Sequence, residues 1–110
     1  MNNKIKAGIL ALTLVVSLPT LASESIDVGI CEEVEPLARS VMYARQNDMS
    51  LKRLMQILTE SADSAPILGL ARKLALDAYS QDNYATKEMK QKAINKFANQ
   101  YYLACLSKFA

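Results

Sequence analysis

The apolar positions of this chain follow two different patterns. An almost unbroken apolar run over residues 7–18 comes first. From Ile30 onward the apolar residues recur at steps of three and four, the spacing of one helix face. Ile30, Cys31, Val34, Leu37, Ala38, Val41 and Met42 form the first such stripe and predict a helix over 33–46. Pro36 suits its first turn, where the missing N–H goes unused, and Asn47-Asp48 ends it. Ser50 is an N-cap for a shorter helix over 51–60 carrying Leu51, Leu54, Met55 and Leu58. After a turn-like stretch at 61–64, Ser64 and Pro66 open a third helix over 66–79. Ile67, Leu70, Ala71, Leu74, Ala75 and Ala78 share its apolar face. Gly69 either weakens this helix by about 1 kcal/mol relative to Ala or lets a neighbouring backbone come close. Residues 80–83 form the clearest loop. Thr86 then caps the longest helix, 87–107, with an apolar stripe of Met89, Ala93, Ile94, Phe97, Ala98, Tyr101, Cys105 and Leu106. No strand-like alternation is sustained and no Asn-Gly hairpin signal occurs. The pattern predicts an all-α fold, a compact bundle of about four helices.

The first apolar run has a different meaning. Lys4 and Lys6 precede it, Pro19 breaks it, and Thr20-Leu21-Ala22 offers small residues for cleavage. Twelve helical residues span roughly 18 Å, short of the roughly 30 Å of a bilayer core. Residues 1–22 therefore read as a cleaved secretory signal peptide, and 23–110 as a single helical domain with no stable membrane insertion after cleavage. Cys31 lies too far beyond the run, after Ile30, for a lipid anchor.

Cleavage changes the charge. The full chain carries 13 Lys and Arg against 11 Asp and Glu, a formal +2. Lys4 and Lys6 leave with the signal, so the mature chain is neutral. Attraction to nucleic acid or to an anionic membrane then loses its support from overall charge. Export to an oxidising compartment, read as the bacterial periplasm, also assigns the two cysteines. A disulfide between Cys31 and Cys105 would close a loop of about 75 residues and contribute on the order of 4–5 kcal/mol. It would join the first and last helices, which must then lie side by side and antiparallel. No C-x-x-C pair or four-ligand zinc pattern competes with this assignment.

The candidate chemistry is thin. The chain has no His, which removes the usual general base and the commonest metal ligand. It contains no Gly-rich phosphate loop, no H-E-x-x-H and no calcium loop. No catalytic residue, metal or cofactor is assigned, and an enzyme is not expected. Glu32, Glu33 and Glu35 complement the dipole of the first helix. Candidate partner-binding residues are Met49, which falls in a turn, the tyrosines Tyr84 and Tyr102, and Lys87 and Lys90 on the basic side of the last helix.

The ordered set Cys31, Leu37-Ala38, Val41-Met42, Arg45-Gln46, Ala78-Tyr79, Ala93, Phe97 and Tyr101 to Cys105 resembles small exported, single-disulfide helical proteins of bacteria and their prophages. That group has no assigned activity. The resemblance implies a helical fold and a phage-linked role, such as lysis control or exclusion of competing phage, and brings no catalytic residues. The expected function is a small periplasmic binding or inhibitory protein, acting through a helix surface on another envelope protein. The alternatives are an acid-activated periplasmic chaperone and a structural part of an envelope oligomer.

Overall fold

A computed structural model describes residues 29–109. The signal-peptide segment 1–22 lies outside the described residues. Four helices are present: α1 (residues 29–46), α2 (Leu51–Ser61), α3 (Ala65–Tyr79) and α4 (Lys87–Phe109). The expected caps close the expected helices. The Ser50 hydroxyl accepts from Arg53 N–H at 3.1 Å, that of Ser64 from Ile67 N–H at 3.4 Å, and that of Thr86 from Met89 N–H at 3.2 Å. Each satisfies a donor that helix geometry leaves without an internal partner.

The core follows the predicted stripes. Val41, Ala38, Leu74, Ala75, Ala78 and Ala98 are fully enclosed. Small alanines at these crossings let the helices approach closely. Phe97 and Tyr101 fill the wider part of the interior, with ring centroids 4.9 Å apart in a tilted pair.

The disulfide Cys31–Cys105 joins α1 to α4, with the two Cα atoms 5.6 Å apart. Three further contacts fix the helix directions. Tyr102 Oη donates to Glu32 Oε2 at 2.8 Å, Arg39 Nη1 to Asn95 Oδ1 at 2.6 Å, and Lys90 Nζ to the Gln46 carbonyl at 2.7 Å. As α1 advances its α4 partners fall back along the sequence, so the two helices run antiparallel.

Three local expectations are corrected. The first helix starts at residue 29 rather than 33, so Pro36 stands inside it and forgoes one backbone hydrogen bond. The disulfide ties this segment to α4 and so secures the turn ahead of the proline. Gly69 is exposed and a Cβ there would meet no atom within 4 Å, which leaves no close backbone approach for it to serve. On α4, Met89 and Leu106 leave the apolar stripe and face outward, 47% and 40% exposed.

Candidate functional site

The chemistry-bearing side chains sort into two ends of the bundle and one outer face. At the first end, α1 finishes in a Schellman turn. Asp48 adopts a left-handed backbone, φ 64°. Met49 N–H reaches the Ala44 carbonyl at 3.0 Å and Asp48 N–H the Arg45 carbonyl at 3.4 Å, which is the motif's pair of bonds. Met49 is its hydrophobic closing residue and packs on the core. Its carbonyl also accepts from Tyr79 Oη at 2.6 Å. Sequence position alone marks Met49 as a turn residue open to a partner; the turn folds it inward instead.

The same end holds the loop between α3 and α4 against α1. Gln46 is completely buried. Its Nε2 donates to the Asp82 carbonyl at 2.7 Å and its Oε1 accepts from Tyr84 N–H at 3.0 Å. Arg45 donates twice to the Gln81 carbonyl, at 3.1 and 3.0 Å, while its guanidinium lies 5.5 Å from the Tyr79 ring centroid. Lys90 is half-buried here rather than free on the surface. Its ammonium donates to the last helical carbonyl of α1 and, at 2.6 Å, to Asn83 Oδ1. A cation at a helix C-terminus is favoured by the helix dipole. Lys90 therefore joins helix to loop, and Lys87 remains exposed.

At the opposite end Tyr102 holds Glu32 beside the disulfide, and Arg39 pairs with Glu35 at 3.2 Å. The hydrogen bond to Glu32 is the main cause raising the Tyr102 phenol above its ordinary value. The helical rise separates positions 87 and 102 by about 22 Å. Met49, Tyr84 and Tyr102 thus do not form one patch.

Between α3 and α4, Tyr101 donates to Asp77. Burial, then this bond and the carboxylate's charge, push the Tyr101 phenol up to about 12. The folded value exceeds the unfolded one near 10. The neutral phenol's contribution is then complete below about pH 10 and is lost as pH rises towards 12. Urea midpoints measured across that window should fall with pH, and should fall less in Tyr101→Phe. Equal slopes would show that another group governs the alkaline loss.

The outer face belongs to α4. Tyr84, Met89, Lys92, Ala93 and Lys96 surround a shallow depression of about 200 Å³ with a mainly apolar lining. Lys87, Lys92 and Lys96 form no ion pair among the described residues. Of the residues singled out from sequence, Tyr84 lines this face and Lys87 stands at its start. Lys92 and Lys96 complete it, and their spacing of four already placed them together. Among the described residues no group of three acidic or cysteine side chains is placed to hold a metal ion, and no helix is long and apolar enough to cross a membrane.

No protein-family model, curated protein or solved structure matches this chain.

Proposed function

We propose that this is a small exported binding or inhibitory protein that presents the outer face of α4 to another envelope protein. The observation that carries the reading is the depression beside Tyr84 and Met89, mainly apolar in its lining and flanked by Lys92 and Lys96, which form no ion pair among the described residues. Apolar contact with a rim of charge is a common plan for protein recognition. Lys90, Tyr102 and Arg45 are taken up by internal bonds. The signal-like segment and the disulfide support action in an oxidising compartment. The resemblance to prophage-associated proteins supports a role in phage competition or lysis.

Site-specific photocrosslinking in intact cells tests the reading. A crosslinking residue at Met89 should yield a discrete adduct with an envelope protein. The same residue at Tyr43, which is 59% exposed on α1, should not. Absence of an adduct at position 89, or equal adducts at both, would remove the α4 face from consideration.

A further inference from the structure

The apolar residues of α4 lie on two opposite sides of the helix. Ile94, Phe97, Ala98, Tyr101 and Cys105 face the bundle. Met89, Leu103 and Leu106 face away from it, 47%, 65% and 40% exposed. A helix that only covered a core would keep its outer side polar. The outward residues also have a register. Met89, Lys92, Lys96, Asn99, Leu103 and Leu106 alternate steps of three and four, the a and d positions of a heptad repeat. All six are exposed. The seam is apolar at both ends, carries lysines in its first half, and extends about 25 Å.

We infer that this seam docks an amphipathic helix of a partner protein, with apolar side chains at its two ends and carboxylates between them. This inference rests on the proposed binding role of the α4 face and names the chemistry of what binds there. Charge complementarity selects the occupant. Lys92 and Lys96 have no ion-pair partner among the described residues, so a carboxylate row opposite them would supply the ion pairs they lack. The same lysines argue against a second copy of the chain. Paired in parallel, the seam sets each lysine beside its equivalent. Paired antiparallel about its middle, it sets Lys92 opposite Leu103 and Lys96 opposite Asn99, with no acid facing either lysine. Neither arrangement gives the lysines an opposite charge. The length fits a helix-in-groove partner, whose anchors recur along one face.

The test uses a synthetic acidic helix of about 18 residues, with leucines at the ends of its seam and glutamates between. A control peptide carries lysines at the glutamate positions. Binding to the intact oxidised protein is followed by fluorescence anisotropy, and the contact is mapped by amide exchange over α4. The acidic peptide should bind at least about tenfold tighter than the control, with protection along 89–106. In Lys92→Glu/Lys96→Glu that preference should reverse. Both lysines are exposed, and a circular dichroism check will show the variant folded. Equal binding of the two peptides, or an unchanged preference in the variant, would overturn the inference. Concentration-dependent dimerisation through Leu103 would overturn it in favour of self-association. Lysine-dependent pelleting with phosphatidylglycerol vesicles, without peptide preference, would overturn it in favour of a lipid surface. An adduct at position 89 in cells together with any of these results would leave the binding role standing and remove only the partner's chemistry.

Discussion

Replacing Cys31 and Cys105 together by alanine should lower the unfolding free energy by about 4 kcal/mol. The bond spans a sequence separation of 74 residues. Opening it returns to the unfolded chain the freedom that a loop of that size loses on closure, on the order of 4–5 kcal/mol. Cys31 is also almost fully enclosed, so removing its sulfur leaves a small void. Domains of this size are stable by only about 5–10 kcal/mol. The loss is therefore a large share of the total and amounts to a fall in melting temperature of roughly 15–30 °C. Urea unfolding of the oxidised protein, the reduced protein and the double variant measures it. The last two should nearly coincide, both far below the first. A loss under about 1 kcal/mol would show that the unfolded chain is already compact without the bond.

Gln46→Leu should cost about 2–4 kcal/mol through a different cause. Leucine is close to glutamine in volume, so packing is largely retained. The carbonyl of Asp82 and the N–H of Tyr84 each lose the partner they have in Gln46. A buried polar group left without a partner costs about 1–3 kcal/mol. The effect should be local as well as global. Amide exchange at Tyr84 should quicken more than exchange at Leu74 in the core, because the loop between α3 and α4 is released before the bundle opens. If Tyr84 stays protected and the urea midpoint does not move, water has replaced the glutamine and the clamp contributes little.

The helices were legible because their cause is local. Val34, Ala38, Val41 and Met42 mark a face by spacing alone, and Ser50, Ser64 and Thr86 announce starts by side-chain chemistry. The all-α architecture and the staple between first and last helices followed from the same reading and are present in the structure. What escaped depends on partners far along the chain. Gln46 and Lys90 bond to groups 36 to 44 residues away, and no periodicity reports such contacts. A signal for Gln46 did exist, since it stands four residues after Met42 on the buried stripe. The turn position of Met49 suggests an open side chain, but a left-handed turn at Asp48, rather than at a glycine, carries it back onto the core. Pro36 signalled a helix start, and the cross-link upstream of it outweighed that local preference. Met89 and Leu106 sit at spacings that fit the inner stripe loosely and the outer seam exactly as well as a heptad allows, so the count of apolar residues could not separate two faces of one helix.

The span of the disulfide also sets an order of events in time. A chain is made from its N-terminus, so Cys31 waits for Cys105 through the synthesis of α2, α3 and nearly all of α4. The two sulfurs are held together when α1 and α4 lie alongside each other, whereas random encounter across so long a loop carries an entropic cost. Oxidation then acts as a final lock on an assembled bundle, and the rate of that locking reports how quickly the first and last helices find one another.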